Sequence, residues 1–262
     1  MGNPDRRPDP AGYRPLDQSD ELQAFYQDRD VVGSYLRRRT AQPLNGVLHR
    51  GQVAFVNRVI AERQPARVLE IAPGPARLTA ELAFAGRGVA VDASPQMLGV
   101  ARERLRGRPG EWLLARADAF QLPVADRSVD LVYTTKFVRH FQRDDRSRLY
   151  AQVRRVLRPG GAFVMDAQNR AISLPHRERK GLDNYPIYDV LYALPELVDE
   201  LQAEQFRLLR VAGLVRHFGI QSRLNRLRRL NLGGLASGLV RLVELLPSRA
   251  PSTWMVLCEV VA

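Results

Sequence analysis

The sequence predicts an α/β fold: a mostly parallel sheet of seven strands, with helices on both faces and an antiparallel last strand. From residue 67 onward, short apolar runs alternate with patterns of helical periodicity, the order that builds a parallel sheet with right-handed crossovers. The first apolar run also ends in a short turn rich in glycine and proline, which a helical pattern follows. At 262 residues, the chain is long enough for one such domain with added cap segments.

Each element follows from a local pattern. The strands are predicted at residues 67–71, 89–92, 112–116, 128–133, 162–166, 206–211 and 253–261. The helices between them are predicted at residues 77–85, 95–106, 146–157 and 195–205. Ser94 is expected to cap the second of these helices, with Pro95 at its first position.

The chain divides into three predicted parts. Residues 1–19 carry four prolines and few apolar side chains, which predicts a disordered tail. Residues 20–63 are predicted to form an N-terminal helical lid, since apolar side chains recur there at helical spacing. Residues 64–262 form the main domain. Its two cap segments are residues 169–192, rich in arginine, tyrosine and proline, and residues 215–246, where leucines indicate two short amphipathic helices.

Composition narrows the class of protein. The net charge is +12, but only Lys136 and Lys180 among the 40 basic residues are lysines, a skew typical of a GC-rich genome. This skew lowers the weight of a nucleic-acid function. No apolar run reaches the length of about 18 residues needed to span a bilayer, and the polar N-terminus does not resemble a secretory signal. With its single cysteine, Cys258, expected in a buried strand, the sequence favours a cytoplasmic protein.

Two acids end neighbouring predicted strands. Glu70 lies just before the turn, and Asp92 closes the next apolar run. Because parallel strands end at the same edge of a sheet, the two carboxylates suit a ligand with a cation at one end and ribose hydroxyls at the other. The turn itself is of the kind that brings a nucleotide-like ligand against a helix N-terminus.

The ordered segments from residue 67 to residue 161 resemble class I S-adenosylmethionine (SAM) dependent methyltransferases, whose fold is Rossmann-like. The family's glycine-rich motif has an acid followed by glycines at alternate positions, and here it reads Glu70-x-Ala72-x-Gly74-x-Ala76. Two glycines are thus replaced by alanine, which loses freedom at positive φ. Residues 91–98, 116–123, 128–133 and 153–161 resemble the family's later segments. The implied cofactor is SAM, and the implied product is S-adenosylhomocysteine (SAH).

The resemblance implies roles for individual residues. Asp92 would accept hydrogen bonds from both ribose hydroxyls, and Asp118 would meet the exocyclic amine of adenine. Phe120 would lie beside the ring, with a plain core position as the alternative, and Asp130 is expected to be structural. The cofactor-binding residues expected are Glu70, Ala72, Gly74, Ala76, Asp92, Ala93, Met97, Asp118, Ala119, Phe120 and Thr134.

The methyl acceptor is expected above the carboxyl ends of the strands. His140 follows the fourth strand and is a candidate general base, since histidine titrates near neutral pH. Asp166, which ends the fifth strand, is a second candidate, and alignment without any base is the alternative to both. The candidate acceptor-binding residues are Tyr35, His140, His176, Tyr185, Tyr188, Tyr192 and His217. No metal site is expected.

The leading function is methylation of a small molecule, with oxygen favoured over nitrogen and carbon, in secondary metabolism. An RNA methyltransferase that uses its basic surface is one alternative. A non-catalytic module of the same fold is another, including one that contacts a membrane surface through residues 215–246. The chain is expected to be a monomer or a homodimer, with no integral membrane segment.

Overall fold

The computed structural model describes residues 42–185, 188–230 and 232–261 of the chain. The predicted tail at residues 1–19, residues 20–41 of the predicted lid and Tyr35 therefore lie outside the described residues.

The sheet has the predicted architecture, with one two-residue strand, Leu191–Tyr192, beyond the seven predicted. Its strands are β1 (Arg67–Ile71), β2 (Arg87–Asp92), β3 (Glu111–Arg116), β4 (Val129–Tyr133), β5 (Leu157–Asn169), β6 (Leu191–Tyr192), β7 (Phe206–Leu214) and β8 (Thr253–Val260). Their order is β3-β2-β1-β4-β5-β8-β7, and the two-residue β6 pairs with the end of β5. Strands β1 to β5 pair in parallel, whereas β8 is antiparallel to both of its neighbours. The mostly parallel sheet with an antiparallel last strand is thus confirmed.

Seven α-helices are described. They are α1 (Pro43–Arg63), α2 (Pro95–Leu105), α3 (Arg143–Val156), α4 (Arg170–Lys180), α5 (Leu194–Ala203), α6 (Phe218–Leu224) and α7 (Gly233–Glu244). The predicted cap of α2 is confirmed, because the Met97 amide donates to Oγ of Ser94 over 3.2 Å. Among the described helices, none is both long and apolar enough to cross a bilayer.

The helix predicted at residues 77–85 is wrong. The chain forms turns there and only a short 3₁₀ segment, Thr79–Glu81. Ala76, just before it, has a φ of +52°, in the left-handed region that an α-helix does not use. The amides of Glu81 and Leu82 then bond three residues back, to the carbonyls of Leu78 and Thr79. This tight path brings the hydroxyl of Thr79 into contact with the carboxylate of Glu70.

Apolar layers cover both faces of the sheet. Val68 and Leu69, successive residues of β1, point into different layers, as the two-residue period of a strand requires. The layer with Val68 contains side chains of α1, and the layer with Leu69 contains side chains of α3 and α5. The central strands are therefore buried on both sides, and polar groups gather where the parallel strands end.

Candidate active site

The turn after β1 lies at the carboxyl edge of the sheet, where the strand order reverses between β1 and β4. Ala72, Gly74 and Ala76 all have positive φ, at +56°, +56° and +52°. These are the alternate positions at which the sequence motif expects glycine, so both alanines hold a conformation that L-residues avoid. A Cβ at Gly74 would meet no atom within 4 Å, so the space beside this backbone is open.

Asp92, at the end of β2, joins the turn to the start of α2. Its Oδ2 accepts from the Gly74 amide and its Oδ1 accepts from the Ser94 amide, each over 2.9 Å. Burial raises the pKa of Asp92, against the lowering effect of these two backbone donors. Each carboxylate oxygen retains a further lone-pair site, so Asp92 can accept one more donor at each oxygen.

Glu70 lies deeper than its neighbour. Only 2% of its surface is exposed, and its Oε2 accepts from the Thr79 hydroxyl and, over 3.0 Å, from the Tyr133 hydroxyl. Burial raises the pKa of Glu70 to about 7, although these donors and the charge of Arg77 oppose the rise. Glu70 thus links the end of β1 to the segment after the turn and to β4 through buried hydrogen bonds.

The end of β3 brings together the residues expected near adenine. Asp118 is exposed, and its Oδ1 accepts from the Phe120 amide over 2.9 Å. Ala119 is buried, whereas Phe120 is half-buried and meets Phe141 edge-on, with ring centroids 5.1 Å apart. Phe120 therefore belongs to an aromatic cluster and still has an accessible part.

Two further predicted residues lie beside β2. Met97 is buried in the first turn of α2, and Ala93 is half-buried next to Asp92.

Thr134, after β4, is buried, and its hydroxyl donates to the Ile71 carbonyl over 2.7 Å. Thr134 therefore ties the ends of β4 and β1 together.

His140 lies in a buried charged cluster that it forms with residues of the first cap segment. Its Nδ1 is 2.9 Å from the Tyr188 carbonyl oxygen and 3.0 Å from Oδ1 of Asp189. Because both partners are acceptors, Nδ1 donates to them, and Nε2 is the ring nitrogen left for a further contact.

Asp189 anchors this cluster, and sequence reasoning missed it. Its carboxylate also pairs with Arg139, over 2.9 Å, and with Arg177. Burial acts to raise the pKa of Asp189, but the charge of Arg139, the hydrogen bond from His140 and the charge of Arg177 hold it well below the usual range.

Asp166 connects the end of β5 to two other elements. Its Oδ2 accepts from Nε2 of Gln52 over 3.0 Å, and its Oδ1 accepts from the Lys136 amide over 2.6 Å. Gln52, on α1, also accepts from Nη2 of Arg77 over 2.8 Å. Both oxygens of Asp166 thus already hold donors that position α1, the turn after β1 and the loop after β4.

The same network extends along α1 to His49, another residue that sequence reasoning missed. His49 contacts Arg77, and its Nε2 lies 2.9 Å from Oε1 of Glu81. Burial, followed by the charge of Arg77, lowers the pKa of His49. The one available signal was Gln52, a polar residue within the apolar stripe of a helical pattern.

The remaining predicted acceptor residues are spread over the cap segments. Tyr192 is buried, and its hydroxyl donates to Oε1 of Glu200 over 2.9 Å. Tyr188 is buried, and the ring of Tyr185 lies 5.0 Å from the guanidinium carbon of Arg177. His217 lies in the second cap segment, with its Nε2 3.3 Å from the Leu246 carbonyl.

Contact between the caps occurs through aromatic rings. His176, in the first cap segment, meets Phe218 of the second edge-on, with ring centroids 4.7 Å apart. Of the two expected bases, Asp166 has donors at both carboxylate oxygens, whereas Nε2 of His140 has no hydrogen-bond partner among the described residues. Over the described residues, histidine, cysteine and carboxylate side chains form no cluster suited to a metal ion.

Comparison with known proteins agrees with this geometry. A family model described as a methyltransferase domain matches residues 68–161. The chain is 32% identical over 123 residues to a malonyl-[acyl-carrier protein] O-methyltransferase of Marinomonas sp., covering 46% of this chain and 44% of that protein. It is 30% identical over 174 residues to the ubiquinone/menaquinone biosynthesis C-methyltransferase of Teredinibacter turnerae, covering 63% of this chain and 67% of that protein.

A solved structure shows the same fold. The magnesium protoporphyrin IX methyltransferase of Synechocystis, with bound SAH, superposes with a TM-score of 0.64 at 11% identity, covering 92% of this chain and 98% of that one. Three observations support the same family: the strand order, the turn after β1 with its preceding acid, and the sequence matches. The chain belongs to the class I SAM-dependent methyltransferase family.

Proposed function

We propose that this protein transfers the methyl group of SAM to a small-molecule acceptor. The observation that carries the proposal is the open space beside Gly74, bounded by the partly buried Asp92, whose carboxylate bonds the Gly74 amide. When bound, SAM supplies a methyl group on an electrophilic sulfonium. The chain then has to hold the cofactor, align the acceptor and, for some acceptors, remove a proton.

The residues at the carboxyl edge fit the cofactor. Asp92 has one free acceptor site at each oxygen, which matches the two neighbouring hydroxyls of a ribose. Gly74 presents backbone without a side chain, which allows close approach of the ligand. Asp118, exposed at the end of β3, is available for an amine donor, with Ala119, Phe120 and Met97 as apolar contacts.

Oxygen is the favoured acceptor atom. Methylation of a hydroxyl requires loss of its proton, and Nε2 of His140, which has no hydrogen-bond partner among the described residues, is the atom proposed to accept it. By their names, one of the two relatives is an O-methyltransferase and the other is a C-methyltransferase. Similarity alone therefore does not select the acceptor atom. The chain spans only 44% of the O-methyltransferase relative, so the whole protein's activity and acceptor are proposals.

The N-terminal residues 20–63 are proposed to cover this edge. The support comes from α1, whose Gln52 contacts both Asp166 and Arg77 and so packs against the turn that borders the site. The cytoplasmic location, the assignment to secondary metabolism and the monomeric or dimeric state remain predictions.

Labelled methyl transfer tests the acceptor class. The purified chain and methyl-labelled SAM are incubated in two parallel reactions. One reaction contains the small-molecule fraction of a cell extract, and the other contains its RNA fraction. Label is expected in the small-molecule fraction, with formation of SAH. Label confined to RNA would instead establish the RNA alternative, and an absence of transfer despite SAM binding would establish a non-catalytic module.

A further inference from the structure

The second cap segment leaves the sheet at the same edge as the candidate active site. Strand β7 ends at Leu214, which pairs with Thr253 at the start of β8, and Thr253 also pairs with Gln168 near the end of β5. Helices α6 and α7 of this segment therefore stand at the carboxyl edge of the parallel strands.

The underside of the segment is fixed. Oε1 of Glu244 accepts from the Val215 amide, and Oε2 accepts from the Arg216 amide, each over 2.9 Å. Ala236 and Val240 of α7 are fully buried. One face of α7 is thus packed in place, and its other face points away from the domain.

That outer face is apolar. Leu235, Leu242, Leu245 and Leu246 are 55%, 61%, 75% and 53% exposed. Of the nine large apolar side chains that are exposed in the described part of the chain, six lie between residues 220 and 246. Scattered exposed leucines need no explanation, but a cluster along α7 and the two residues that follow it marks an interaction surface.

The charge around these leucines is of one sign. Residues 215–250 contain seven arginines and a single acid, Glu244, whose oxygens bond the backbone beneath. Arg223, Arg226, Arg241 and Arg249 are exposed, and none of them forms a salt bridge with another described residue. Arg50 of α1 is also near enough to Arg241 for their charges to repel.

We propose that this leucine–arginine face docks on an anionic membrane surface. Leucines that enter the acyl boundary and arginines that meet anionic headgroups are the two contributions such binding requires. A second copy of the chain fits the face less well, because self-association would bring the arginines of two copies together. The proposal concerns binding alone, so it stands or falls independently of methyl transfer.

Vesicle flotation of the full chain tests the proposal. Binding is expected to vesicles that contain phosphatidylglycerol, to be weak on phosphatidylcholine alone, and to fall as salt is raised. The double variant Leu242→Ser/Leu245→Ser should reduce the bound fraction by about tenfold. Leu113→Ser is the matched control, because Leu113 is 65% exposed on the edge strand β3, away from this segment.

Three results would overturn the proposal. One is equal binding by the double variant and the wild type. Another is equal binding to neutral and anionic vesicles. The third is a combination of two findings: the wild type does not bind vesicles, and light scattering shows a dimer that the leucine substitutions dissociate. The face would then join two copies of the chain. Unchanged thermal unfolding of the variants shows that each remains folded.

Discussion

The amide nitrogen of Gly74 lies 2.9 Å from Oδ2 of Asp92, so the turn after β1 is fastened to the end of β2. The Ser94 amide occupies Oδ1 in the same way, so each oxygen of Asp92 keeps one lone-pair site for a ligand. The bond from Gly74 also fixes the backbone of the turn at the point where a Cβ would enter open space. One carboxylate therefore shapes the turn and offers the acceptors expected for a ribose.

Replacing Ala72 by glycine should leave stability nearly unchanged. Ala72 has a φ of +56°, where an L-residue costs about 1 kcal/mol relative to glycine. The greater freedom of glycine in the unfolded chain offsets about 0.4–1 kcal/mol. The free energy of unfolding in urea should therefore change by no more than about 0.6 kcal/mol. Ala101→Gly, in the buried middle of α2, should instead lose about 1 kcal/mol, and equal losses at both sites would contradict the argument.

Glu70→Gln should change how stability depends on pH. The native pKa of Glu70 is about 7 and its unfolded reference value is 4.5, so the native state holds a proton that the unfolded state has lost between these values. The stability due to Glu70 is thus fully present below pH 4.5 and declines as pH rises to about 7, on the order of 3 kcal/mol in total. Urea unfolding between these pH values should show a flatter profile for Glu70→Gln. An unchanged slope would disprove the assignment.

Two glutamates on α5 should differ in their effect on stability. Glu200 is buried and accepts from Arg146, Tyr150 and Tyr192. Glu200→Ala leaves a buried guanidinium unpaired and should cost about 3–5 kcal/mol in thermal or urea unfolding. Glu196 pairs with Arg170 at the surface, so Glu196→Ala should cost less than about 1 kcal/mol. Equal stability of the two variants would show that the buried contacts of Glu200 contribute no more than the surface pair of Glu196.

His140→Ala should separate catalysis from cofactor binding. If His140 removes the acceptor's proton, kcat should fall by about 100-fold or more, while the Kd for SAM changes by less than about twofold. Arg106→Ala is the control, because Arg106 lies in an exposed salt bridge with Glu103 at the end of α2 and should keep kcat near the wild-type value. A kcat for His140→Ala that stays close to wild type would show that alignment alone suffices.

The sequence predicted the features that depend on local signals. The strand and helix alternation, the Ser94 cap and the buried Cys258 all follow from neighbouring residues. Asp130, expected to be structural, accepts from the Ala66 and Arg67 amides over 2.7 and 2.8 Å. Such signals are encoded within a few residues, so a single sequence displays them.

Other features depend on contacts that are distant in the chain. The left-handed backbone at Ala76 interrupts a pattern that otherwise has helical periodicity. The bond from Gln52 to Asp166 joins residues 114 positions apart, and the Asp189 partner of His140 lies 49 positions away along the sequence. Neither pairing has a local signature, because only the folded sheet brings these side chains together.

The most direct test of the account is calorimetric titration of SAM into the wild type, Asp92→Ala and Asp130→Asn. Removing the two acceptor oxygens of Asp92 should weaken SAM binding by about 10- to 100-fold. Asp130→Asn changes an acid that bonds backbone amides at the start of β1, so its affinity for SAM should stay within about twofold of wild type. Wild-type affinity in a folded Asp92→Ala variant, or no SAM binding by the wild type, would contradict the central claim.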